Sequence, residues 1–322
     1  MSMWLSILLL LAGLAMIFYG ANLLTDGASS IAKRMRVTPL VIGLTVVAMG
    51  TSAPEMAVSL TSAISGKSDI SLGNVVGSNI FNILAILGLT ALVKPLKVAT
   101  TTTRVEIPVV ILLTIITSVL CLDTMVNGAS INVIDRSEGM VLLTFFILFM
   151  AYTMFIARRE EESAENAPEI KQYPIWLSIV MLLGGLALLI FGGRFFTNGA
   201  SDIARGLGVS EAVIGLTLVA LGTSVPELAT SLVAARKGQV DMAIGNVVGS
   251  NIFNLLFILG TTAVVKPIGI SGITLVDYGT MLLAVVLLYL FTICFGHRKI
   301  LRLEGLVLLL CYIAYNTFLV LR

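Results

Sequence analysis

Two glutamates stand where a carboxylate is least expected. Glu55 closes the run Gly50-Thr51-Ser52-Ala53-Pro54-Glu55, and Glu227 closes the near-copy Gly222-Thr223-Ser224-Val225-Pro226-Glu227. Both runs are embedded in stretches apolar enough to span a bilayer. An acidic side chain at that depth costs roughly 2.5–3.5 kcal/mol on insertion scales, so it marks a functional site by default. Its neighbours here are hydroxyls, and an all-oxygen set suits hard cations. The absence of thiolate and imidazole from these runs disfavours zinc, copper and iron.

A second motif follows each glutamate. Gly73-Asn74-Val75-Val76-Gly77-Ser78-Asn79-Ile80-Phe81-Asn82 recurs as Gly245 to Asn254. Ser78 and Asn82 are four apart and share a helix face, with Asn74 one turn earlier on the same side. A single copy would read as small-residue packing with polar glue between helices. Repetition beside the glutamate motif points instead to a site. The candidate side chains are Thr51, Ser52, Glu55, Ser78 and Asn82, with Thr223, Ser224, Glu227, Ser250 and Asn254. Two negative charges among neutral oxygens suit one divalent cation or a few monovalent ones.

The helix carrying Glu55 is expected to break near its middle. Pro54 lacks the amide that would bond back one turn, and it pushes Ala53 away from helical geometry. Carbonyls around Ala48 and Met49 would then be unpaired, which is tolerated at membrane depth only inside protein or beside a polar cavity. A rival reading makes Ser52-Ala53-Pro54-Glu55 a capping box, with Glu55 serving only the new half-helix. Asp69 and Asp241 open the following helices, where a cap is the usual explanation. Lys94-Pro95 and Lys266-Pro267 end them.

Composition supplies the setting. Mean hydropathy is +1.03, with 57% hydrophobic and 12% charged residues, about half the charge of a soluble domain. The fold class is therefore all-α integral membrane. Ten apolar stretches approach the roughly 20 residues that a spanning helix needs, at 4–23, 39–64, 71–93, 105–122, 138–157, 175–196, 211–235, 242–265, 274–295 and 301–320. Cys121, Cys294 and Cys311 offer neither a disulfide framework nor a zinc pattern. The one histidine, His297, reads as a loop residue among Arg298, Lys299 and Arg302.

Shifting the chain by 172 residues aligns 43–96 with 215–268 without a gap, and 35 of the 54 positions are identical. Two homologous units of five helices follow: 1–157 with core motifs at 43–96, and 174–322 with core motifs at 215–268. The polar segment 158–173 is a linker between them. Five is odd, so the second unit should enter the membrane from the opposite side. With the N-terminus outside, fourteen Lys and Arg fall on inside loops and six outside, a clear positive-inside bias. Both termini then face out, the linker is cytoplasmic, and the repeats are inverted. Secondary transporters use such repeats around a midplane site with broken helices, but some channels are built from inverted repeats too.

The duplicated Gly-Thr-Ser-x-Pro-Glu and Gly-Asn-Val-Val-Gly-Ser-Asn-Ile-x-Asn motifs resemble the α-repeats of the calcium/cation antiporter superfamily, above all those of prokaryotic sodium/calcium exchangers. That resemblance covers the whole ten-helix plan. It implies exchange of several sodium ions for one calcium ion. By motif position, Glu55 and Glu227 would ligate calcium with Thr51, Thr223 and the carbonyls of Ala48 and Ala220. Ser52, Ser78, Ser224 and Ser250 would join the glutamates at sodium sites, and Asn82 and Asn254 would flank the centre. Some relatives, including potassium-dependent members, have aspartate where Asn254 stands, which leans against potassium dependence.

The mechanism expected is competition of both ions for the two carboxylates. An empty site leaves like charges in a low dielectric, which opposes crossing, and occupancy by either ion relieves it. The first and sixth helices, outside both motifs, would slide to alternate access. If net charge moves, each elementary charge is coupled to the membrane potential at about 2.3 kcal/mol per 100 mV. No resident cofactor is expected, because the bound Ca2+ and Na+ are cargo. The remaining partner is the lipid bilayer of the plasma membrane, with no nucleic acid. A proton/calcium antiporter would use the same carboxylates, and a cation channel is the more distant alternative. An enzyme lacks support in the intrahelical residues.

Overall fold

A computed structural model describes residues 3–159, 171–208, 220–294 and 298–321. Most of the expected linker, the first part of the expected span at 211–235 and His297 lie outside the described residues. The chain is a multi-pass helical membrane protein. Among the described residues eight helices are long and apolar enough to cross a bilayer, and nine if one bent pair counts as a single span.

Helix α1 is Met3–Met35. The bent pair is α2 (Pro39–Thr51) and α3 (Ala53–Ile64). Then come α4 (Ser68–Val93), α5 (Thr102–Leu120), α6 (Arg136–Arg159) and α7 (Ile175–Gly206). The short α8 (Ala220–Thr223) precedes α9 (Val225–Arg236). The chain ends with α10 (Val240–Val265), α11 (Leu275–Ile293) and α12 (Arg302–Leu321).

The expected ends hold. Helix α4 stops at Lys94 and α10 at Lys266, where the backbone turns extended ahead of Pro95 and Pro267. Helix α6 starts on Asp135, which accepts from the Ser137 hydroxyl (2.6 Å) and the Glu138 amide (2.8 Å). Those bonds hold its carboxyl below the usual carboxylate range. Asp69 is no cap. Lys67 occupies the N-cap of α4 without a side-chain bond, and Asp69 accepts from the Ser271 amide and hydroxyl and the Gly272 amide (2.8, 2.5 and 2.9 Å). Asp241 is not the N-cap either, since Gln239 holds that position in α10. A polar side chain in the first turn of a helix can reach neighbours in space, as Asp69 does, which a local rule does not see.

Helices α4 and α10 form the core. Of their apolar windows 83% and 94% are buried, against 28% for α1 and α7. Large apolar side chains on the outer helices point outward, as at Trp4, Trp176 and Leu303, which are 79%, 64% and 70% exposed. They belong to the lipid-facing surface.

Helices α1 and α7 pack antiparallel along two stripes of small residues. Ser6, Gly13, Gly20 and Gly27 on α1 meet Gly199, Gly192, Gly185 and Ser178 on α7, seven residues apart on each helix. A Cβ added at Gly20 would lie 2.8 Å from the Gly185 carbonyl, and one at Gly27 2.7 Å from that of Ser178. Small residues at such an interface let the backbones approach. Gly20→Leu is expected to cost about 1–3 kcal/mol by overpacking, read as a lower unfolding temperature in detergent. An unchanged transition would refute the contact.

Two short antiparallel pairings stitch loops that are distant in sequence. Strand β1 (Leu96–Lys97) pairs with β4 (Lys299–Ile300), and β2 (Asn132–Ile134) with β3 (Ile268–Ile270).

Candidate functional site

Thr38 caps α2, accepting from the Val41 amide (3.4 Å), and Pro39 follows at the first turn. The helix then runs to Thr51 and bends by 45°. The bend falls at Ser52 (φ −82, ψ 8), with Ala53 already helical, one residue before the expected position. Ala53 enters the new helix because Pro54 sits in its first turn, where a missing amide costs nothing. The Ala48 carbonyl is not left unpaired. It accepts from the Ser52 amide (3.0 Å) and from the Thr51 hydroxyl (3.3 Å), so the chain bends without opening its ladder there.

The capping box is also absent, since Ser52 makes no side-chain cap bond. Its hydroxyl crosses to the other copy of the motif and donates to Glu227 Oε1 (2.9 Å). Ser224 reciprocates, donating to Glu55 Oε1 (2.8 Å). Ser78 Oγ lies 3.2 Å from Ser224 Oγ. Each carboxylate is thus completed by hydroxyls 169–175 positions away. Both glutamates are 1% exposed. Among the described residues neither has an ion-pair partner.

The second oxygens are left over. Glu55 Oε2, Glu227 Oε2, Asn82 Oδ1, Asn254 Oδ1 and Ser250 Oγ are buried with no hydrogen-bond partner. Buried polar atoms are nearly always bonded, so these exceptions, all on residues of the two motifs, need a reason. All five are oxygens with lone pairs to give, and hard cations take such ligands. Asn82 and Asn254 lie in π-helical turns, Phe81–Leu87 and Asn254–Ile258, a distortion that recurs at functional sites.

Ten of the twelve expected residues were to act through side chains, and among these hydrogen bonds join Ser52 to Glu227 and Ser224 to Glu55 and Ser78, while Asn82 and Asn254 bond across the repeat to Asn251 and Asn79. The other two were expected to act through backbone carbonyls. Ala48 ends at an occupied carbonyl, and Ala220 opens α8. Four further residues support the site. Asn74 donates to the Glu55 carbonyl and to Ser59 Oγ (3.1 and 2.9 Å), and Asn246 to the Glu227 carbonyl and to Ser231 Oγ (3.3 and 3.0 Å). Thr51 donates to Asn246 Oδ1 (3.1 Å). Their identity at matched positions 172 apart was the available signal.

The model of the family described as "sodium/calcium exchanger protein" matches residues 5–155 and 177–321. The chain belongs to the sodium/calcium exchanger family. The putative antiporter CaxA of Alkalimonas amylolytica is 40% identical over 316 residues, covering 95% of this chain and 96% of that one. The sodium/calcium exchanger MaX1 of Methanosarcina acetivorans is 31% identical, covering 96% of each. A solved structure of the sodium-calcium exchanger NCX_Mj, soaked with Na+ and Ca2+, superposes with a TM-score of 0.81 at 34% identity, over 96% of this chain and 97% of that one. The exchanger family consists of transporters of Na+ and Ca2+ rather than enzymes, and membership places this chain among cation antiporters.

Proposed function

We propose that this exchanger-family chain is a secondary active antiporter that trades sodium for calcium across the plasma membrane by alternating access. The observation that carries the reading is the pair of buried glutamates, crossed to Ser224 and Ser52, each with its second oxygen unpartnered, as are oxygens of Asn82, Asn254 and Ser250. Calcium would be held by Glu55 and Glu227 with Thr51, Thr223 and the Ala48 and Ala220 carbonyls. Sodium would use the same glutamates with Ser52, Ser78, Ser224 and Ser250. A ligand at the Ala48 carbonyl would displace the Thr51 hydroxyl now on it. The ions are cargo, and no resident cofactor takes part. Sodium as the coupling ion is supported by the relatives that carry it in their names.

The scaffold in this proposal is ten helices in two inverted units, 1–157 and 174–322, joined by a cytoplasmic 158–173 linker, with both termini extracytoplasmic. The paired bonds of the site support it, because Ser52 with Glu227 and Ser224 with Glu55 are one contact written twice. Helices α1 and α7 slide together on the core. Lys237 Nζ on Asp26 Oδ1 (2.6 Å) and the Ser29 hydroxyl on Gln239 Oε1 (2.6 Å) tie α1 to the α9–α10 turn, and sliding has to release them.

The test is calcium uptake into proteoliposomes preloaded with sodium, beside potassium-loaded and pH-gradient controls. Uptake is expected only with sodium inside. Uptake driven by the proton gradient alone would make the protein a proton/calcium antiporter, and uptake with no counter-ion would make it a channel.

A further inference from the structure

Asn79 and Asn251 stand in the duplicated motif outside the candidate ion ligands, and both are buried, at 1% exposed. Asn82 Nδ2 donates to Asn251 Oδ1 (3.0 Å), and Asn254 Nδ2 donates to Asn79 Oδ1 (3.1 Å). We infer that Asn251 and Asn79 are positioning residues that fix which way the Asn82 and Asn254 amides face, so that each presents oxygen, and not its NH2 group, to the transported cation. The inference rests on the ion-site reading above and assigns the polarity of that site.

An amide side chain is a two-ended group, with a donor at one end and an acceptor at the other. Rotating it by half a turn about its terminal bond changes its shape little and reverses its sign toward a cation. The orientation therefore has to be set by something that is not itself reversible. On one side the anchor is the Asn79 backbone carbonyl, which accepts from Asn251 Nδ2 (3.3 Å). A carbonyl has no proton to donate. Asn251 must put its NH2 there, its Oδ1 must face Asn82, and Asn82 must answer with NH2. The Asn82 oxygen is then the end left over, and it is buried without a partner.

The other side repeats the logic with a different anchor. Asn79 Nδ2 faces Met281 Sδ at 4.0 Å, and a thioether is a weak acceptor that never donates. That turns Asn79 Oδ1 toward Asn254, which answers with NH2 and leaves its own oxygen unpartnered. Each relay crosses between the two copies of the motif. The relay ending at Asn254 is anchored on sulfur, the weaker acceptor, so its polarity is the easier to disturb.

A carboxylate has no polarity to set, because both ends are oxygen. This supplies the test. Asn79→Leu, near-isosteric and without an acceptor, is made in the wild-type protein and in Asn254→Asp, and Asn251→Leu is made in wild type and in Asn82→Asp. Calcium binding to the purified protein and sodium-driven calcium uptake are both measured, with the unfolding temperature in the absence of ions as a control. Asn79→Leu is expected to weaken calcium binding about tenfold in the wild-type background and less than about twofold beside Asn254→Asp, and the Asn251 cycle should behave alike. Equal losses on both backgrounds would mean a packing role and overturn the inference. Each loss is read against its own parent, so the ratio holds whatever affinity the aspartate alone confers. Retained calcium binding in Glu55→Gln would instead sink the ion-site reading beneath it.

Discussion

Glu55→Gln is expected to bring sodium-driven calcium uptake down to the level of protein-free liposomes, and Glu227→Gln to do the same. The substitution keeps the shape and the acceptor that Ser224 uses, so the fold is not asked to change. What is lost is one unit of charge at an oxygen with no other partner. At a contact of about 2.4 Å and an effective dielectric of about 20, a carboxylate and a divalent cation attract by roughly 14 kcal/mol. Dehydration offsets much of this, but each tenfold in affinity is only about 1.4 kcal/mol. A fall of at least about 100-fold follows. The two variants should be equally affected, because each carboxylate is buried to the same degree and served by one serine from across the site. Wild-type uptake in either would place the cation elsewhere.

The second large effect is expected far from any charge. Helices α2 and α10 touch through backbone. A Cβ at Gly249 would sit 2.7 Å from the Leu44 carbonyl oxygen and 2.9 Å from the Ala48 Cβ, and one at Gly245 would lie 2.6 Å from the Leu40 carbonyl. These obstacles are main chain or the first carbon of a side chain, so no rotamer change relieves them. Gly249→Val must push α2 outward. Helix α2 ends at the bend that aims Ser52 at Glu227 and Thr51 at Asn246, and a shift of about 1 Å is enough to unmake both bonds. Misplacement on that scale can cost about 100-fold in enzyme sites, and a comparable loss of uptake is expected here, in a protein that still elutes as a single species in detergent. Undiminished uptake would show that the close contact does not position the site.

How much of this was legible in the sequence depends on the range of the cause. The duplication, the glutamates and the proline-directed bend are written within single segments, and the structure has them where local rules put them, within one residue at Ser52. The helix-to-helix bonds were not legible. The sequence offered Glu55 a serine three residues before it, and a capping rule pairs them. The structure gives that serine to Glu227, because the burial of two bent helices against one another decides the partner. Asp69 fails as a cap for the same reason, its acceptors being needed by the Ser271–Gly272 turn. The small residues at 6, 13, 20 and 27 carried a clear seven-residue period. Their meaning lay in the matching stripe on α7, which a reading segment by segment leaves unpaired.

The crossed bonds and the strand pairings also bear on biosynthesis. A chain made from its N-terminus delivers Glu55 and β1 to the bilayer while Ser224, Asn251 and β4 have yet to be synthesised. During that interval one carboxylate sits among apolar helices without the hydroxyl that will hold it, and a loop waits for its strand. The finished arrangement forms only when α12 follows β4 into place. A ribosome that stops before Ser224 therefore releases a product whose buried acid lacks its hydroxyl donor, a chemical difference between incomplete chains and complete ones.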